Sequence, residues 1–373
     1  MAIELSSLTF TDHADIVPAS GVEEILNTGM ANALAGSDIL TGTSTNTGIY
    51  NSGTINTGDG SDIITGTSTS VGGGGIFNFA GIFNFGTNAI IDTGTGSDRI
   101  TATGSFGIYN SGTINTGTGR DIITITGNGN GVGIYNDGGN INTGDDNDTI
   151  TVANGIGGNG IYNSGSINTG DGNDIINSTG GIGDLGSVGI YNSRGIINTG
   201  TGSDIITGTS NNYGIYNTGT INTGDGSDII TGTSTTGGGY GIYNDGTIDT
   251  GAGNDIIIGT SNNYGIYNNG TIDTGNGEDS LIADGGFSGS GSVLLGNGKD
   301  YLKGFGSGSF DGGNGKDALE LTSGSYTVGI SATGVNFTKG SIIMNTSGFE
   351  ELIAGNTKYD FSRLTNGQTI SVV

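Results

Sequence analysis

The sequence predicts an all-β chain, a parallel β-solenoid of about 24–29 residues per coil that runs into shorter turns and a C-terminal β cap. Three observations predict it. A unit reading GIYNSGTINTGDGSDIITG at 48–66 returns throughout the chain. The aromatic after Gly-Ile falls at Tyr50, Phe83, Tyr109, Tyr135, Tyr162, Tyr191, Tyr216, Tyr243 and Tyr267, and after the first long step the spacing is 24 to 29 residues. Of 373 residues 81 are Gly and only one is Pro; this excludes collagen, while the fixed offsets of Gly from Ile, Tyr and Asp argue against disorder.

Taken in order, residues 1–33 precede the regular repeats and are expected to cap the first coil, and residues 34–284 form the solenoid. Each coil divides into three short β runs, GIYN, TIN and DIITGT, separated by an SG corner, a TGxGxD corner and a variable Gly/Ser/Asn loop. Length variation sits before GIYN, including an extra GIFN at Phe77, so insertions bulge at one corner and leave the others in register. Stacked strands repeat every ~4.8 Å, so about ten coils make a rod roughly 50 Å long. Ile49 and Ile55, like Ile215 and Ile221, should point inward as aliphatic ladders. Asn51, Asn110, Asn163 and Asn217 share one turn position where amides can bond coil to coil,. The Tyr column is expected to be a stacked outer ladder.

The charge is acidic and uneven. Residues 1–298 hold 28 acidic residues against Arg99, Arg120 and Arg194, whereas residues 299–373 hold 7 acidic and 6 basic ones. Such a body repels nucleic acid and anionic lipid, and it calls for external cations. The TGxGxD corner supplies their place. It ends on Asp62, Asp98, Asp121, Asp174, Asp204, Asp228, Asp255 and Asp279. TGDDND at 143–148 ends on Asp148 but lacks the second Gly, which puts that corner in question. Gly allows the bends that aim carbonyls at a common point, and the last Asp adds a carboxylate. Calcium takes six to eight oxygens. One corner cannot furnish them, so several calcium ions are expected between neighbouring corners, where they would relieve the repulsion of stacked carboxylates.

These corners resemble the RTX, or haemolysin-type calcium-binding, nonapeptide G-G-x-G-x-D-x-U-x. GGNGKDALE at 312–320 matches it at every defined position, and GNGKDYLK at 296–303 matches from the second Gly. Asp300 and Asp317 join the candidate calcium ligands, 17 residues apart, and the resemblance implies an RTX β-roll over 285–320. The longer coils depart by carrying Thr in place of the first Gly. Residues 321–373 look like the terminal module of cyanobacterial RTX proteins, which implies a cap and an uncleaved type I secretion signal. The N-terminal stretch has neither a basic region nor an apolar core of its own, as expected if the export address lies at the other end. Cysteine is absent, so disulfides and thiolate metal sites are excluded,.

Catalytic equipment is hard to find. His13 is the only histidine, and no nucleophile elbow, P-loop or zinc pattern accompanies it,. The chain is therefore expected not to be an enzyme. Residues flanking the inward Ile of the third run, such as Ile63, Thr65 and Thr67 or Ile205, Thr207 and Thr209, should form an outward Ile/Thr face,. The expected function is a secreted, calcium-stiffened structural component of a surface layer, fibril or matrix, self-associating and without membrane insertion. A solenoid binding ice or polysaccharide through Thr or Tyr columns is the alternative, and an RTX toxin-like protein is third.

Overall fold

A computed structural model describes residues 2–18, 23–69, 80–155, 157–181, 186–236 and 238–373. The insertion carrying Phe77 and most of the variable loop around Asp184 lie outside the described residues. Each repeat makes one coil, and each of its three runs joins a different sheet. The GIYN runs form a sheet of 12 strands, the TIN runs one of 16, and the DIITGT runs one of 15. Pairing between coils is parallel and without slip: Ile49 lies opposite Ile82, which in turn lies opposite Ile108, and Ile64 sits opposite Ile100. The two-residue side-chain period then decides what is buried. The Ile of GIYN, the Ile of TIN and the second residue after the corner Asp all face a narrow interior, as Ile49, Ile55 and Ile64 show at 0–1% exposure,.

The first coil begins inside the segment expected as a cap. Ile3–Glu4, Ile16–Val17, Ile25–Asn27 and Met30–Asn32 already pair in the three sheets, and Leu5, in a short 3-10 turn, closes the end of the core. At the other end the GIYN sheet stops at Phe287–Ser288, and the coils beyond it set Ser292–Leu294 and Gly308–Asp311 on one side and Tyr301–Lys303 and Ala318–Leu321 on the other, while the corner residues Asn297–Gly298 and Asn314–Gly315 join Asn276–Gly277 in a small sheet of their own. The shorter coil matches the drop in Asp spacing to 17 residues. Of the C-terminal strands Gly324–Ser331, Gly334–Lys339, Ile342–Ser347 and Thr369–Val372, Ile342–Ser347 joins the TIN sheet parallel to Gly308–Asp311, and the four pair with one another antiparallel. Phe337, Tyr326 and Met344 are fully buried there, so the cap closes the open end of the aliphatic file with aromatic bulk.

Candidate calcium corner

Two glycines per corner have positive φ, for example Gly58 at 91° and Gly60 at 147°. A side chain there is excluded by stacking as well as by backbone conformation. A Cβ on Gly60 would lie 1.6 Å from the carbonyl oxygen of Gly36, and one on Gly96 would lie equally close to that of Gly60. The glycine carbonyls thus form a file along the corner, each aimed at the next coil. In the TGDDND corner Asp146 takes the left-handed place of the second Gly, with φ 82°. That corner keeps its register nonetheless: Asp148 is buried, and its Oδ1 accepts from the Asp121 N–H at 2.8 Å.

The eleven carboxylates singled out in the sequence, Asp62 through Asp317, occupy one buried column, and each is at most 1% exposed. Their geometry repeats. Asp62 N–H donates to Asp98 Oδ1 at 2.7 Å, Asp204 N–H to Asp228 Oδ1 at 2.8 Å and Asp300 N–H to Asp317 Oδ1 at 2.9 Å. One oxygen of every carboxylate therefore serves the preceding coil. The other oxygen, Oδ2, is buried with no hydrogen-bond partner in all eleven. The column ends at Asp317, whose own N–H donates to Glu350.

Asp38, about where the motif match begins, is a twelfth member that was not among the candidate ligands. Its Oδ1 accepts from Asp15 N–H at 2.7 Å, its N–H donates to Asp62 Oδ1, and its Oδ2 is likewise unpartnered. Its corner reads ALAGSD, with Ala33 where the later coils have Thr and Leu34, at φ 72°, where they have Gly. The surviving signal is the GSDIL that follows.

The Thr at the head of the longer-coil corners, which departs from the nonapeptide's Gly, is buried, and in several corners its hydroxyl reaches the next coil: Thr93 Oγ1 donates to the Thr116 carbonyl and Thr116 Oγ1 to that of Thr143, both at 3.1 Å. The same hydroxyl lies beside the Asp of its own corner and acts to lower that group's pKa. Desolvation outweighs it. Burial pushes Asp98, Asp148, Asp255 and Asp300 up to about 7, and Asp121, Asp174 and Asp204 up to about 6.

A buried carboxylate oxygen without a partner is costly, and a column of them demands a compensating charge. Among the described residues no three His, Cys, Asp or Glu side chains gather into a cluster. Any cation held here would use one carboxylate per corner, together with the carbonyls of the Gly file. These are hard oxygen donors, presented by stacked corners, and they fit calcium rather than a soft metal.

The other ladders lie on the GIYN and TIN runs. Asn51 Nδ2 donates to Asn84 Oδ1, and the chain of amides continues from coil to coil at 2.7–2.9 Å through Asn110 and Asn136 to Asn268. The Tyr rings stack on one another, as at Tyr216–Tyr243, with centroids 4.4 Å apart and planes 3° apart. Such rings turn their faces onto each other, which leaves little open face for a sugar in those coils. The Ile/Thr face is half-buried and in register, with Thr65 opposite Thr101 and Thr67 opposite Thr103, but Arg99 and Thr149 interrupt its Ile column.

No family model matches the chain, and no curated protein does. Among solved structures it is similar to a hyperactive, Ca2+-dependent, β-helical antifreeze protein from an Antarctic bacterium, with a TM-score of 0.52 and 21% identity, covering 95% of this chain and 96% of that one. The class of protein is thereby defined as a parallel β-solenoid, a shape shared along nearly the full length of both chains.

Proposed function

We propose that this chain is a calcium-folded structural rod that works outside the cell, exported through its C-terminal module and packed side to side through the Ile/Thr face. The observation that carries the reading is the unbroken column of buried, unpartnered Asp Oδ2 atoms. Asp62 through Asp317, with Asp38, would hold calcium between stacked corners together with the Gly carbonyls. The ions supply positive charge where the coils meet, so that binding and folding are one event. That the structural neighbour is itself Ca2+-dependent supports the cofactor. The chain's own residues do the rest: the Asp Oδ1 atoms tie coil to coil, and the aliphatic file excludes water.

The role proposed is non-catalytic. No helix among the described residues is long and apolar enough to cross a membrane. The test pairs circular dichroism in chelator and then in excess calcium with electron microscopy of the calcium form. Loss of the β spectrum in chelator, its return with calcium, and ordered lateral arrays are expected. A β spectrum and melting temperature indifferent to chelator would overturn the calcium reading. Ile205→Lys with Ile229→Lys should abolish the arrays while leaving calcium-dependent folding intact.

A second reading has its own observation. Thr207 and Thr209 lie opposite Thr231 and Thr233 in adjacent strands, so the face carries regular T-x-T pairs, and the structural neighbour is named an antifreeze protein. A monodisperse chain that shapes ice crystals, and loses this on Thr→Leu substitution along the face, would favour ice binding over assembly.

A further inference from the structure

The stacked tyrosines come to an end within the GIYN sheet. From Tyr135 to Tyr267 each coil sets one ring on the next, with centroids 4.4–5.3 Å apart. The ring partners of Tyr267 are Tyr243 at 4.6 Å and Tyr240 at 5.1 Å, and that of Tyr264 is Tyr240 at 6.3 Å, so all lie in the preceding coil. In the coil that follows, the side chains turn small. Tyr267 lies opposite Ser288 in the adjacent strand, within the run GGFSGS at 285–290. Gly285 and Gly289 of that run have φ of 106° and 107°, a conformation that disfavours any larger residue,. A tyrosine ring reaches well beyond a serine hydroxyl, so the outer part of the half-buried Tyr267 ring keeps one face bare, a shelf at the head of the file.

The rim of this shelf is polar and held in place. Asn269 Nδ2 donates to the Tyr267 hydroxyl oxygen at 2.8 Å, and Asn269 Oδ1 accepts from the Ser290 N–H at 3.0 Å and from its hydroxyl at 3.2 Å. We propose that the shelf binds a neutral, β-linked, gluco-configured sugar stacked on Tyr267. Such a pyranose carries its hydroxyls equatorially and its C–H bonds axially, so each of its faces is an apolar plate about the size of a phenol ring. Laid on Tyr267, it covers the face that the file leaves bare and turns its edge hydroxyls toward Ser288, Ser290 and Asn269. An apolar plate with a few fixed polar groups is what a small-ligand site requires. Charge narrows the class further. Exposed Asp284 precedes Gly285, and Asp245 accepts from the Tyr243 hydroxyl at 3.0 Å one coil back, on a strongly acidic body, so uronate and sulfated glycans are repelled. The inference does not depend on export or on packing through the Ile/Thr face.

The probe is cellohexaose, added to the full calcium-loaded chain, with an oligogalacturonate of equal length as the anionic control. The sequence holds 14 Tyr and no Trp, so tyrosine fluorescence reports on phenol contact, and saturation-transfer NMR shows which sugar protons touch the protein. Binding of cellohexaose with transfer strongest to its axial protons is expected, and no binding of the oligogalacturonate. Tyr267→Ala should weaken binding about tenfold or more, and so should Ser288→Leu, which keeps the ring but lays a branched side chain across its face. Tyr267→Phe keeps the plate and should lose much less. No binding of cellohexaose to the parent, undiminished binding with Ser288→Leu, a loss with Tyr267→Phe as large as with Tyr267→Ala, or equal binding of the oligogalacturonate would overturn the proposal, with circular dichroism confirming that each variant is folded.

Discussion

Two ladders run the length of the same solenoid, and they differ in one atom type. On the GIYN edge, buried Asn amides bond head to tail, each Nδ2 to the next Oδ1. On the opposite corner, buried Asp carboxylates bond only through Oδ1 to the neighbouring backbone N–H, and Oδ2 is left alone. An amide carries its own donor, so its ladder is complete within the protein. A carboxylate has acceptors only. Equal burial and equal spacing therefore do not make equal stability: one edge fills its own hydrogen bonds, and the other leaves a buried acceptor unfilled in every coil.

The two ladders should respond most differently to pH in chelator. Burial raises the folded corner carboxyls above the usual carboxylate range, Asp98 and Asp148 up to about 7 and Asp121 up to about 6. A raised folded pKa gives stability that is full below the unfolded pKa and lost as pH rises through the folded one. In chelator, acidification from pH 8 to pH 5 should therefore raise the melting temperature, whereas with calcium it should lower it, because calcium needs the ionised form. The same slope in both conditions, followed by thermal melts, would contradict the comparison.

Next in size is Gly226→Ala. At φ 148°, with a Cβ placed 1.5 Å from the Gly202 carbonyl oxygen, it forces two corners apart and should cost about 3 kcal/mol or more in denaturant titration with calcium. Asn217→Ala removes one rung of the amide ladder and leaves the Asn244 Oδ1 rung without its donor. A loss of about 2 kcal/mol, the same with and without calcium, is expected. The smallest and sharpest test is Asp228→Asn, which rewrites one rung of the incomplete ladder in the chemistry of the complete one. It should lower the calcium-bound stability by about 1–2 kcal/mol and raise that of the chelated chain. A loss of equal size in both states would mean that the carboxylate acts only as a hydrogen-bond acceptor.

Much of this architecture was legible in the sequence because a solenoid converts recurrence into adjacency. Ile49, Asn51, Thr57 and Asp62 each recur at the same place in their unit, so each becomes a column, and alternation settles which columns are buried. What escaped notice did so for physical reasons. Asp38 sits in a corner whose Thr and Gly are replaced by Ala33 and Leu34, so motif letters fail where backbone geometry persists. The split role of each carboxylate, one oxygen bonded and one orphaned, depends on the rotation of the side chain relative to the next coil, which spacing does not encode. The early entry of Ile3–Glu4 and Ile16–Val17 into the sheets rests on strands of two residues, too short to show alternation.

The amide ladder also has a direction. Every Nδ2 points toward the C-terminal neighbour, from Asn27, whose Oδ1 has no partner, to Asn268, which donates to the Ser292 carbonyl. Within this ladder the side-chain dipoles add, but the amides of the TIN runs point the other way, Asn142 donating back to Asn115 and Asn168 to Asn142, so the rod carries two opposed arrows on different sheets. A completed coil therefore presents the coil that follows it with an amide donor on the GIYN run and an amide acceptor on the TIN run, and the newcomer must match both at once.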